Sequence, residues 1–117
     1  MASAPETPSE SGIVLVYLTV DNEEHATRFL KGCFNKGLIA TANLDDGVFE
    51  RTYLKFGRMV TERSRSNLEM TTTDEKVADL IDYINQNNPT SYDYPVPNAI
   101  ALPVEHGNDK WIAWVKK

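Results

Sequence analysis

Hydrophobic and polar positions change rhythm several times along the chain, and each rhythm predicts an element. Residues 13–20, Ile13-Val14-Leu15-Val16-Tyr17-Leu18-Thr19-Val20, carry no charge and are mostly β-branched, aromatic or aliphatic. Such a run predicts a central strand covered on both faces. Asp21, followed three positions later by Glu24, has the form of a helix N-cap with a capping-box partner. Ala26, Phe29, Leu30, Cys33 and Phe34 then fall at helical spacing and predict one apolar stripe. Lys36-Gly37 closes that helix, with a cation near its C-terminus and glycine at the left-handed cap position.

Extended structure resumes at Leu38 and runs through Ala42 towards Asp45, where Asp45-Asp46-Gly47 reads as a bulge or tight turn. Residues 48–56 continue it, and Phe56-Gly57 marks the reversal of a long hairpin. The returning strand is predicted over 59–72, where Ser66, Leu68, Met70 and Thr72 alternate with Asn67, Glu69 and Thr71. Thr72 or Thr73 is the expected cap of a second helix, with Asp74 and Glu75 in its first turn and Val77, Leu80, Ile81 and Ile84 as its stripe. The three prolines between 89 and 97 predict a loop. A short strand over 98–104 follows, with Pro103 suited to its edge or end. Asn108 then caps a short closing helix that carries Trp111, Ile112, Trp114 and Val115.

The resulting order is α+β: a ferredoxin-like β-α-β-β-α-β domain with a long β-hairpin and a C-terminal helix. Residues 1–12 are expected as a disordered tail, because a stretch rich in Pro, Ser and Glu and lacking an apolar centre cannot offset the entropy of ordering, and 13–117 as the domain. The hairpin is long for so small a sheet. Its outer part carries Phe49, Tyr53, Leu54, Phe56 and Met59, which left alone would expose unpaired edges and apolar surface. Pairing with further copies in a closed ring removes that hazard.

Composition narrows the classes. The chain has 117 residues, 41% of them hydrophobic and 25% charged, which fits one soluble domain. A net charge of -5 repels nucleic acid and anionic membranes on average, so neither is an expected partner. No apolar run approaches the roughly 20 residues that span a bilayer. A single cysteine, Cys33, allows no internal disulfide, and a cytoplasmic location is expected.

Three stretches resemble the CutA (divalent-cation-tolerance) family. The first runs from Val14 to Glu24, the family's opening strand and helix start. The second is Gly37-Leu38-Ile39-Ala40-Thr41-Ala42-Asn43, with Tyr53 and Gly57-Arg58 at the hairpin turn. The third is Pro97-Asn98-Ala99-Ile100-Ala101-Leu102-Pro103-Val104-Glu105-His106-Gly107-Asn108, ending in Trp111 and Trp114. The resemblance implies a tight homotrimer whose long hairpins pair between subunits, broadly like the PII signalling proteins. It implies a role in tolerance of divalent metals, copper especially, and no catalytic activity. The chain departs from the family at two places: Thr41 stands where a cysteine is common, and Asn88-Pro89 where His-Pro-Tyr is common.

Candidate chemistry is sparse. Cys33 is a soft-metal ligand by type, but its place on the apolar stripe predicts a small buried hydrophobe. His25 is expected to face solvent. Glu105-His106, before a Gly-Asn turn, supplies either two ligands for copper or another divalent cation at a subunit boundary or a polar turn. Asp45-Asp46 before glycine supplies either ligands for a hard cation such as magnesium or calcium or, the favoured reading, turn chemistry. Arg51, Lys55, Arg58, Arg63 and Arg65 give the hairpin a basic bias, and with Tyr53 they outline either an anion or nucleotide cleft or a solvated surface. Trp111 and Trp114 are expected in core or interface packing. No phosphate-cradling Gly-rich loop or nucleophile elbow appears, and no enzyme is expected. The alternative reading is a PII-like trimeric regulator binding a small anion or nucleotide at the subunit cleft.

Overall fold

The computed structural model describes residues 10–20, 23–45, 49–64, 66–87 and 98–117; within these, the side chains at 49, 51, 53, 55, 62–64 and 66 are not described. The elements are β1 (Ile13–Val20), α1 (Glu23–Asn35), β2 (Thr41–Asp45), β3 (Phe49–Lys55), β4 (Arg58–Ser64), β5 (Ser66–Thr73), α2 (Val77–Gln86), β6 (Ala99–Val104) and α3 (Asp109–Lys116). The predicted tail over 1–9, the Asp21 cap, the turn at Asp46-Gly47, Arg65, Asn88 and the loop over 89–97 lie outside the described residues.

Four strands form one sheet in the order β2-β5-β1-β6, with every neighbouring pair antiparallel. This is the ferredoxin-like arrangement, in which the first strand lies centrally between β5 and β6, the strand after α2, while β2, the strand after α1, takes the edge beside β5. β1 is central because its alternate residues Val14, Val16, Leu18 and Val20 are all buried, facing α1 and α2. α1 contributes Ala26, Phe29 and Cys33 to that core, and α2 contributes Val77, Leu80 and Ile84. From β5, Leu68 and Met70 complete it, as the alternation of that strand predicts.

The opposite face of the sheet corrects the expectation that β1 is covered on both sides. Successive strand side chains point to opposite faces, and on this second face Tyr17 is 39% exposed, beside Ile100 at 54%; Leu102, opposite Leu15, is 47% exposed. Helix α3 approaches β5 and β1, where Ile13 pairs with Thr73, and leaves the rest of the face open. A second correction concerns Phe34, placed on the apolar stripe of α1 by spacing but exposed. The stripe is wide enough for Phe29, Leu30 and Cys33, and Phe34 stands at its solvent margin.

Helix ends follow their chemistry unevenly. α1 closes in a Schellman motif: the Gly37 N–H donates to the Phe34 carbonyl, the Leu38 N–H donates to the Cys33 carbonyl, and Gly37 has φ +67. α2 starts later than expected, at Val77 after the N-cap Lys76, without a side-chain cap. Thr72 is not its cap, because the Thr72 hydroxyl donates to the Leu38 carbonyl at 2.6 Å. Thr73 is not its cap either; its hydroxyl has no hydrogen-bond partner among the described residues. Asn108 precedes α3 in extended backbone, again without a side-chain cap bond.

The long hairpin divides in two. Its base, β2 and β5, belongs to the main sheet, while β3 and β4 form a separate two-stranded arm. Register along the arm runs from Phe49 opposite Ser64 to Lys55 opposite Arg58. Phe56 and Gly57 make the turn, with φ +52 and +77, as a two-residue turn of type I′ requires. The arm packs chiefly on itself.

Candidate functional site

The arm carries the first group of candidate residues. Tyr53 pairs with Val60 on the backbone ladder, and its side chain is outside the described set. Arg58 opens β4 opposite Lys55 and is exposed. The side chains of Arg51, Lys55 and Arg63 lie outside the described set, as does Arg65 altogether. Three apolar residues dominate what is visible: Leu54 is 72% exposed, Phe56 96% and Met59 77%. Scattered exposed hydrophobes are ordinary, but three neighbours at one hairpin tip form a patch.

The second group stands on α3 and the turn before it. Trp111 is half-buried with its ring against Gly107, where an added Cβ would lie 3.3 Å from the indole. Trp114 is 58% exposed, so within one chain it is not a core residue. Glu105 and His106 are both exposed. The His106 Nδ1 lies 3.9 Å from a carboxylate oxygen of Glu10, a loose surface pair. Within one chain the structure does not gather Tyr53 and Arg58 with Trp111 and Trp114, since the arm packs mainly on itself and α3 on β5 and β1.

No group of three His, Cys, Asp or Glu side chains among the described residues is arranged to hold a metal ion. Glu105 and His106 therefore offer at most a partial ligand set from one chain. Cys33 is fully buried, and removal from water pushes its thiol up to about 12, so the thiolate that would bind a soft metal or attack a substrate does not form near neutral pH. The expectation of a small buried hydrophobe holds. Thr41 shares a hydrogen bond between its hydroxyl and that of Thr71 on the neighbouring strand.

Two concavities were not anticipated from the sequence. One is a shallow groove on the outside of α1 lined by Glu23, Glu24, Thr27, Arg28 and Lys31. There Arg28 pairs with Glu24 at 3.2 Å, one helical turn away, as solvated helix faces do. The other is a polar recess of about 320 Å³ lined by Glu10, Gly12, Thr73, Asp74, Glu75 and Lys116. Its residues come from both ends of the chain and the middle, so spacing gave no signal; only the antiparallel pairing of Ile13 with Thr73 assembles it.

Comparison with known proteins places this geometry. The family model described as CutA1 divalent ion tolerance protein matches residues 14–117. Protein CutA 1, chloroplastic, of Oryza sativa subsp. japonica is 31% identical over 103 residues, covering 88% of this chain and 55% of the relative. The chain spans about half the length of the curated plant relatives it matches. Among solved structures, CutA1 from Oryza sativa superposes with a TM-score of 0.76 at 29% identity, covering 89% of this chain and 90% of that one. The divalent cation tolerance protein Cut A1 from Thermus thermophilus gives 0.76 at 26% identity, covering 88% and 94%. These comparisons lend nothing to the alternative of a PII-like regulator. A sequence model spanning nearly the whole described fold, together with superposable structures, shows that the chain belongs to the CutA1 divalent ion tolerance family.

Proposed function

We propose that the protein works as a homotrimer of the divalent-cation-tolerance type, without catalysis, in the response to metal ions, copper among them. The observation that carries this reading is the free-standing arm. A two-stranded ribbon alone is marginally stable in water, yet this one ends in Leu54, Phe56 and Met59, all more than two-thirds exposed. Seating the arm of one copy against another covers that patch and an unpaired strand edge together. The open sheet face with Tyr17, Ile100 and Leu102 supplies a second apolar surface for the same assembly. Threefold closure is taken from the resemblance to the family, and a cytoplasmic location from the single buried cysteine.

In this reading Tyr53, Arg58, Trp111 and Trp114 line the seams between copies, and Glu105 with His106 supplies ligands at the subunit boundary. A partial ligand set in one chain becomes a fuller one only where copies meet. Calorimetric titration of the full chain with copper(II) and zinc tests this. Saturable binding that is lost in Glu105→Gln and His106→Ala supports those ligands. Binding unchanged in the double variant removes them, and the absence of any binding removes direct metal contact.

A further inference from the structure

Two local choices at the tip of the arm oppose the stability of a single chain. Lys55 and Arg58 stand directly opposite one another in the ladder, and like charges so placed repel. Phe56, in the turn between them, holds φ +52, a conformation that asparagine or glycine takes at less cost. The Phe56 ring meets solvent almost completely, so burial within the chain offsets neither cost. Local choices of this kind mark a contact made elsewhere.

The open face of the sheet has the complementary chemistry. Ala99 and Ala101 pack on the core, so Ile100 and Leu102 between and beyond them stand on the open face. By the same alternation β1 adds Tyr17 and β5 adds Glu69, directly opposite each other in register. The strand residues on this face include the acids Asp45 and Glu69 and no lysine or arginine. Charge divides the same way along the sequence. Between 49 and 65 five Lys and Arg residues stand against two acids, and over the rest of the chain seven stand against fifteen. Opposite potentials on arm and body draw the two together. The arm packs chiefly on itself, so the face it meets is not its own. A second copy supplies that face.

We propose that the arm tip of one copy docks on the open sheet face of another, with Arg58 paired to Glu69 of the partner subunit and Phe56 seated on the apolar part of that face. This docking rests on the self-assembly reading and adds to it which surfaces meet. A carboxylate held by the Arg58 guanidinium neutralises the charge that Lys55 repels, and the fork geometry of arginine suits that contact better than lysine does. Donor and acceptor are different surfaces of one chain. Each copy can therefore give its tip to one neighbour and receive a tip from the other, the head-to-tail contact from which closed rings are built.

Exchanging the two charges tests the pairing, read as association of the full chain by light scattering over a dilution series. Arg58→Glu and Glu69→Arg are each expected to weaken association about tenfold or more, and the chain carrying both changes is expected to recover most of it. Native association in either single variant, or no recovery in the double variant, overturns the pairing and leaves the assembly reading standing. A native chain with the mass of one copy overturns both. Glu69→Gln keeps the size of the side chain and carries the test if Glu69→Arg does not fold; it should weaken association in the same direction, and association equal to that of the native chain overturns the pairing. Phe56→Asn relieves the turn and should still weaken association, and unchanged association overturns the seating of the tip.

Discussion

The body of the protein and its arm are built from the same kinds of residue but treat them oppositely. In the body, Val14, Val16, Met70, Leu80 and their neighbours are fully buried between the sheet and two helices. In the arm, Leu54, Phe56 and Met59 meet solvent, although the backbone ladder is regular from Phe49 to Ser64. Between its sheet and two helices the body builds a buried core within one chain; the arm satisfies its backbone ladder while Leu54, Phe56 and Met59 stay exposed. Regular pairing alone is therefore no sign of self-sufficiency, and the arm is where the single chain is incomplete.

One truncation made in both regions gives the largest contrast. Leu80→Ala removes a fully buried side chain and is expected to cost about 2–5 kcal/mol in denaturant unfolding. Leu54→Ala is expected to cost a single chain under about 0.5 kcal/mol, as exposed substitutions usually do. Its effect should fall on self-association instead. Equal losses of chain stability in the two variants would break the contrast.

Within the body, Gly32→Ala probes packing density. A Cβ at Gly32 would come 1.8 Å from the Tyr83 hydroxyl, whose ring packs on Phe29 at 5.5 Å between centroids. The expected loss is about 1–3 kcal/mol, the usual scale of overpacking. Removing the clash with Tyr83→Phe in the same chain should recover part of it. Gly37→Ala is a smaller change of another kind. Nothing lies within 4 Å of the added methyl, so the cost is that of φ +67, about 1–2 kcal/mol.

At neutral pH the smallest expected effect concerns Cys33, whose contribution appears only in alkaline solution. Its thiol is raised from 9.0 in the unfolded chain to about 12 by burial. The unfolded chain therefore releases this proton first, and stability falls as pH rises from about 9 towards about 12, with no contribution below that window. Cys33→Ala should lack this slope. A native thiol that reacts with iodoacetamide near neutral pH at the rate of an exposed cysteine would contradict its burial.

How much of this was legible in the sequence depends on what each feature needed. β1, the core stripes of both main helices apart from Phe34, the Gly37 cap and the reversal at Phe56-Gly57 rest on periodicity and local backbone preference, and they appear where spacing placed them. The open second face of β1 was not legible, because an uncharged run reads the same whether a helix or another copy covers it. The absence of a threonine cap on α2 was also hidden, since the Thr72 hydroxyl is drawn to Leu38, a contact fixed by the sheet. Of the candidate site, Cys33 was read correctly from its stripe. The recess was invisible, because Glu10, Thr73 and Lys116 meet only after strand pairing.

Light scattering on the full chain during size-exclusion chromatography, at micromolar concentration, tests the incompleteness of the arm most directly. The expected mass is three chains, shifting towards one when Leu54, Phe56 and Met59 are all replaced by serine. A native chain that elutes at the mass of one copy, with its arm intact, would contradict it.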